Sequence, residues 1–166
     1  MDSANKRYKE IYAAHYAKVM RLCLGYVAGD QDLAKDLTQE IFIKIWQNLE
    51  NFRSESSIST WIYRISVNTC LSNLRTLKKG AKTIAIVDVP EMIEEQTDAD
   101  KEYQLALLYA CIKKLSEINR AIILLVLEGL PNKEISDIIG IEHDAIRTRI
   151  HRIKSQLTKC VSHEQF

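Results

Sequence analysis

Apolar residues recur at three- and four-residue spacing along most of the chain, the period of a helix with one covered face. Tyr8, Ile11, Tyr12, Val19, Leu22 and Cys23 predict an opening helix. Gly29-Asp30 ends it, and Asp30 stands where a carboxylate can cap the next helix by accepting from its free first-turn N–H groups. Leu33, Leu37, Ile41, Ile45 and Leu49 then form an i, i+4 stripe, widened by Ala34, Phe42 and Trp46. After Phe52 the polar break RSESS precedes a third helix from about Ile58, with Ile58, Ile62, Ile65 and Thr69 on one face. From Lys78-Lys79-Gly80 to about Thr97 no helical period survives, so this stretch reads as a linker. Its TIAIV segment (83–87) has strand propensity and no obvious partner. Helical spacing resumes with Leu105, Leu108, Ile112 and Leu115, then Ile123, Leu124 and Leu127, ended by Gly129.

The final segment predicts two helices joined by a glycine. Pro131 suits a first helical position, where its missing N–H costs nothing, and Ile135, Ile138 and Ile139 give that helix an apolar face. Gly140 supplies the turn. Ile146, Ile150, Ile153 and Leu157 fall in one narrow arc of the last helix at about 100° per residue. Helices of this length around a Gly-containing turn form a helix-turn-helix pattern. Opposite the last stripe lie Asp144, Thr148, His151 and Arg152, with Arg147 and Arg149 on the flanks. An outward arginine can reach a base edge in a major groove, whereas a flanking one reaches phosphate. On this stretch alone the alternative is a solvated amphipathic helix.

Two further faces carry candidate chemistry. Trp61, Arg64, Asn68, Leu71 and Arg75 share one arc of the third helix, a mixture suited to stacking on bases and gripping phosphates. The same residues also read as a core tryptophan, a satisfied amide and a wet rim of arginines. Asp36, Gln39, Glu40 and Lys44 form the polar side of the second helix, ordinarily a solvated face.

Composition narrows the class. With 166 residues, 46% hydrophobic and 27% charged, the chain has the balance of a soluble globular protein rather than a disordered one. No apolar run approaches the roughly 20 residues of a membrane span, and the N-terminus lacks a signal peptide's apolar core, so a cytoplasmic protein with no membrane insertion is expected. Net charge is only +1, but residues 1–80 hold 12 Lys or Arg against 8 Asp or Glu, while residues 81–100 hold one lysine against six acids. Residues 145–160 hold five basic side chains and no acid. Binding follows the local field, so two mildly basic blocks around an acidic linker remain compatible with nucleic acid. Cys23, Cys70, Cys111 and Cys160 lie more than forty residues apart, which suits neither zinc nor a disulfide framework; reduced, partly buried thiols are expected, with no metal and no cofactor. No P-loop, H-E-x-x-H or recognisable nucleophile-base spacing suggests an enzyme. The expected fold is all-α: two small helical domains, 1–80 and 102–166, joined by an acidic linker, 81–101, with the helix-turn-helix in the second.

DLAKDLTQEIFIKIWQNLENF followed by FRSESSISTWIYRISVNTCLSNLR resembles region two of bacterial sigma factors of the extracytoplasmic-function class. CIKKLSEINRAIILLVLEGLPNKEISDIIGIEHDAIRTRIHRIKSQL resembles their region four. The resemblance covers about residues 5–78 and 102–158 in the family's order. It implies a transcription initiation factor that binds core RNA polymerase (the β′ clamp and β subunits) and promoter DNA, and that an anti-sigma factor restrains. Polymerase docking would fall to Asp36, Gln39 and Phe42, with Glu40 and Trp46 nearby. The loop from Phe52 through Arg53, Ser54 and Ser56 would capture a flipped minus-ten base, supported by Trp61, Arg64 and Asn68 of a W-x-x-R-x-x-x-N pattern, with Arg75 further along. Arg147, Thr148, Arg149, His151 and Arg152 would meet the minus-thirty-five element. The acidic linker would run near the RNA exit channel. Departures from the family pattern are Ile58 for phenylalanine, Leu115-Ser116 for Leu-Pro, Glu142 for a Ser or Thr cap, and His143-Asp144 for a small or acidic pair. The competing reading is a stand-alone dimeric helix-turn-helix regulator on a palindrome.

Overall fold

An apolar stripe on a helix needs a cover, and here each helix is covered by other helices. The computed structural model describes residues 2–80 and 98–164. Among these residues there is no strand. The elements are α1 (Asp2–Tyr26), α2 (Gln31–Asn48), α3 (Ile58–Gly80), α4 (Asp98–Lys113), α5 (Glu117–Leu127), α6 (Asn132–Ile139) and α7 (His143–Glu164), with a 3₁₀ turn at Leu49–Asn51. The expected TIAIV segment and most of the expected linker lie outside the described residues. The linker's last residues differ from expectation: α4 begins at Asp98, so 98–101 are helical.

Local chemistry explains the boundaries. The Asp30 side chain accepts from the N–H groups of Asp32 and Leu33, both at 3.1 Å, and Gly29 takes the left-handed φ of +86° that the turn requires. Ser57 Oγ accepts from the Thr60 N–H at 3.1 Å and so caps α3. Ser116 caps α5, accepting from the Asn119 N–H at 3.3 Å. Its preference for the cap breaks what the apolar spacing ran together. Pro131 is the N-cap of α6 rather than its first residue. Gly140, at φ +79°, terminates α6, and its N–H donates to the Ser136 carbonyl at 2.8 Å.

The N-terminal helices α1, α2 and α3 bury Val19, Leu22, Cys23, Leu37, Ile41, Ile45, Ile62, Val67 and Cys70. The C-terminal helices bury Ile112, Ile122, Leu125, Ile135, Ile146, Ile153 and Leu157. These two bundles also pack on each other, α4 and α5 against α1 and α6 against α3, so their buried residues form one continuous cluster. Leu33, Trp46, Leu105 and Leu127, expected on apolar stripes, are exposed. In α2 the covered arc is centred on Ala34, Leu37, Thr38, Ile41, Phe42 and Ile45, leaving Leu33 and Trp46 on its two edges.

The cysteines also depart from expectation. Cys111 of α4 and Cys160 of α7 are disulfide-bonded, with Cα atoms 6.0 Å apart, inside the range a disulfide spans. Their separation along the chain concealed a pairing that helix packing creates. Cys23 and Cys70 remain free, buried side by side with Sγ atoms 3.9 Å apart.

Candidate nucleic-acid interface

The last helix divides as its apolar period requires. Ile146, Ile150, Ile153 and Leu157 are buried beneath α7, which turns the opposite side to solvent. On that side Asp144, Arg147, Thr148, His151 and Arg152 line one shallow concavity. Arg149 lies apart, donating to Asn119 Oδ1 at 3.3 Å. Thr148 Oγ1 donates to the Asp144 carbonyl one turn back, at 3.2 Å. A helix carrying arginines, a histidine, a hydroxyl and a carboxylate on a solvent face offers both donors and acceptors to a base edge.

A second surface forms where α2, the 3₁₀ turn and α3 meet. Phe52 is half-buried against Trp61, ring centroids 5.0 Å apart, and the Arg7 guanidinium lies 5.5 Å from the Phe52 centroid. Arg53 is exposed, Ser56 is half-buried, and Ser54 holds a left-handed φ of +57°, uncommon for a residue with a Cβ. Beneath this loop, Trp61 and Asn68 line an open cleft of about 400 Å³ together with Lys44, Asn48, Asn51, Ile65 and Thr69. Lys44 Nζ lies 2.9 Å from Glu40 Oε1 and donates to Thr69 Oγ1 at 3.3 Å. The cleft combines an aromatic face, amides and an ammonium group, which can stack on a base, read its edge and meet phosphate. Asn48 and Asn51 were missed from sequence because helical spacing says nothing about the turn that brings them to the cleft mouth. Leu71, part of the expected stripe, is buried core.

The third surface is the outer side of α2. Asp36, Gln39 and Glu40 are exposed, as are Ile43 at 49% and Trp46 at 44%. Phe42 differs from its expected part as a contact residue: it is 2% exposed, with its ring 4.8 Å from that of Tyr12. The period that exposes Asp36 and Gln39 turns Phe42 inward, so it can shape this face and not touch a partner directly.

The arginines of α3 have partners in the C-terminal bundle. Arg64 donates from Nε and Nη2 to the Asp137 carbonyl at 3.1 and 2.9 Å, and Arg75 Nε lies 3.4 Å from Glu117 Oε2. Arg21 of α1 forms a two-pronged pair with Glu128, both bonds 2.9 Å. Leu124 packs on the bare backbone of Gly25, where a Cβ would collide with Leu124 Cδ2. Arg120, 6% exposed, donates to the carbonyls of Lys113 at 2.6 Å and Tyr26 at 3.4 Å. Burial lowers the pKa of the Arg120 guanidinium and lifts Tyr26 well above the usual tyrosine range. Burial, and then the Glu128 carboxylate, push Tyr63 up to about 12.

Comparisons with known proteins identify the family. The family model for Sigma-70 region 2 matches residues 11–80, and that for Sigma-70 region 4 matches residues 105–157. RNA polymerase sigma factor SigZ of Bacillus subtilis is 31% identical over 139 residues, covering 83% of this chain and 78% of its own. The ECF RNA polymerase sigma-E factor of Haemophilus influenzae is 30% identical over 169 residues, covering 92% and 86%. Among solved structures, CnrH in complex with the cytosolic domain of CnrY shares the fold at a TM-score of 0.72 and 19% identity, covering 96% of this chain and 90% of its own. The sigma factor RpoE of Bartonella quintana, in complex with the anti-sigma factor NepR, matches at 0.72 and 18%, covering 95% and 98%. With both regions present in order and these relatives across most of its length, the chain belongs to the extracytoplasmic-function class of sigma factors, which are transcription initiation factors.

Proposed function

We propose that this chain docks on core RNA polymerase through the outer side of α2 and carries it to promoters, reading two DNA elements with two different surfaces. Asp36, Gln39, Glu40 and Trp46 make the polymerase contact, and Phe42 braces them from below. Residues 1–80 and 102–166 act as the two DNA-binding units, and 81–101 joins them, with α4 starting inside that joint. The loop Phe52, Arg53, Ser54 and Ser56, with Trp61, Arg64, Asn68 and Arg75, holds an unstacked base and strand of the minus-ten element; a pocket must offset the few kcal/mol of lost stacking. Arg147, Thr148, His151 and Arg152 read the minus-thirty-five element, and Arg149 sits against its backbone. The protein acts in the cytoplasm, catalyses no reaction itself and is restrained by an anti-sigma factor. No helix among the described residues is long and apolar enough to cross a membrane.

The observation that carries this reading is α7: four isoleucine and leucine side chains buried on one side and a concavity of Asp144, Arg147, Thr148, His151 and Arg152 on the other. Purified protein, core polymerase and genomic DNA test it together. Initiation should appear at a common set of sites only when both proteins are present. A sharp palindromic footprint by the protein alone would replace this reading with the dimeric regulator.

A further inference from the structure

The four cysteines form two pairs, and only one pair has a sulfur that solvent reaches. Cys23 and Cys70 are free and fully buried, with Sγ atoms 3.9 Å apart. Cys111 of α4 and Cys160 of α7 are bonded to each other; Cys111 is buried, whereas Cys160 is half-buried at the outer end of its helix. Neither pair belongs to the surfaces proposed above. In the cytoplasm, where this chain is proposed to act, thiols are kept reduced, and the disulfides that do form there are mostly transient and redox-sensing.

The two bonded sulfurs have unequal surroundings. Lys114 Nζ lies 3.9 Å from Cys160 Sγ and donates to Glu164 Oε1 at 2.7 Å. An ammonium group beside a thiol favours the thiolate, which is the nucleophile in oxidation and in exchange. The Glu164 carboxylate opposes part of that charge while tying Lys114 to the last turn of α7. Cys111, shut away from water, is kept as the neutral thiol by the same physics. An accessible sulfur beside a cation and a protected sulfur within bonding reach are the two parts of a redox-sensing pair. Their Cα atoms stand 6.0 Å apart, so the bond closes without moving the backbone.

We propose that Cys111 and Cys160 form a reversible dithiol–disulfide site for hydroperoxides and low-molecular-weight thiols, in which Cys160 reacts, Lys114 favours its thiolate and Cys111 resolves. On closing, the Cys160 thiolate attacks a peroxide oxygen and the O–O bond breaks. Cys160 becomes a sulfenic acid, and the departing hydroxide takes up the proton that Cys160 gave up. The Cys111 sulfur then displaces the sulfenic hydroxyl, which leaves as water with the Cys111 proton. Two thiols are oxidised and one hydrogen peroxide is reduced to two waters. On opening, an external thiolate attacks Cys160 Sγ, and Cys111 leaves as a thiolate and is protonated. A second external thiolate takes the first from Cys160, giving a small-molecule disulfide. The site fastens the end of α7 to α4, so the anchorage of that helix follows the supply of oxidant. This chemistry does not depend on the DNA roles given above.

The test uses the full chain, reduced and freed of reductant. One equivalent of hydrogen peroxide is added, and peptide mass mapping after alkylation locates each thiol. Cys111 and Cys160 should become linked, while Cys23 and Cys70 stay free. Dimedone present during oxidation should label Cys160 and spare Cys111. Millimolar glutathione without denaturant should reopen the bond. Lys114 is read from the pH profile of iodoacetamide alkylation at Cys160 in the reduced chain. Lys114→Met should move that profile up by about one pH unit, and Lys114→Arg should restore it. At pH 7 the tenfold loss of thiolate is partly offset by higher intrinsic nucleophilicity, so the reaction slows about 3-fold. Peroxide that leaves all four thiols free, or that oxidises Cys23 and Cys70 instead, overturns the proposal. Dimedone on Cys111 overturns the assigned order of attack. A bond that opens only after denaturation is a fixed structural cross-link, and an unchanged profile in Lys114→Met removes the activated thiol; either result sinks the proposal.

Discussion

Breaking the Cys111–Cys160 disulfide should lower the stability of the C-terminal helices by an amount comparable to their whole margin. The bond ties α4 to the last turn of α7, across 49 residues of sequence. In the chain-entropy account, closing a loop of that length stabilises the folded state by about 4 kcal/mol at 25 °C. Domains hold roughly 0.05–0.15 kcal/mol per residue, or about 3–10 kcal/mol for a unit of this size. At the end of α7, Leu157 is buried and Val161 packs against the core, while the Lys114–Glu164 pair, at 2.7 Å, is largely exposed and so is weak. At about 4–8 °C per kcal/mol for small domains, a loss of 2–4 kcal/mol lowers Tm by roughly 10–30 °C. Cys160→Ser is the cleaner perturbation, because Cys160 is half-buried, whereas a serine at Cys111 would place a hydroxyl where the side chain is 1% exposed. Melting followed by circular dichroism, with and without dithiothreitol, gives the answer. Reductant should lower the wild-type Tm and leave Cys160→Ser unmoved, since Cys23 and Cys70 are already free. An unchanged wild-type Tm, or an equal drop in the variant, would refute the argument.

Other perturbations address the surfaces one by one. Asp36→Ala with Gln39→Ala should weaken core-polymerase binding and shift stability by no more than about 0.5 kcal/mol, as exposed changes do; unaltered affinity in a pull-down titration would return this face to solvent. Asn68→Ala should impair promoter melting more than duplex binding and be partly rescued on a pre-melted template, whereas equal losses on both templates would remove the cleft from base capture. Arg152→Ala should relax base preference at one or two positions of the minus-thirty-five element at a cost of about 1–3 kcal/mol, and Arg149→Ala should weaken all sequences alike; base-variant panels and a salt series separate the two. Alkaline pH should destabilise the fold between pH 10 and 12: Tyr63, raised from 10.0 to about 12, favours its neutral form when folded, so its contribution is present below 10 and lost as pH rises toward 12. Thermal melts paired with tyrosinate absorbance check this.

Periodicity carried much of the fold. It placed the α2 and α7 stripes and the side of α7 that faces outward, because a helix with one covered face can satisfy its spacing in only one rotation. It failed where the cover was incomplete. Leu33 and Trp46 have the right spacing but stand at the rim of the buried arc, and Phe42, counted among the contact residues, is turned inward by the same geometry. Events between helices left no trace in the spacing. The cysteine pair, the cleft at Asn48 and Asn51, and the grip of Asp137 on Arg64 each join residues whose separation along the chain is unrelated to their distance in space. Ser116 is the one local feature that was legible and went unused, since a serine followed by glutamate at the edge of an apolar run is an ordinary helix-start signal.

The exposed apolar residues on α2 and the covered arginines on α3 bear on one question, the order in which partners bind. Ile43 and Trp46 hold nearly half their surface in water beside Asp36, Gln39 and Glu40. Leaving large apolar groups in water forgoes roughly 25 cal/mol for each Å² that could be buried, and apolar groups rimmed by polar ones are a usual mark of a docking surface. That face is complete in this chain, because α2 borders α1 and α3 and makes no principal contact with α4–α7. Strand capture is different. As proposed, it would call on Arg64, which in this chain donates to the Asp137 carbonyl. In the proposed reading, polymerase can therefore dock on α2 without disturbing the contact between Arg64 and the Asp137 carbonyl.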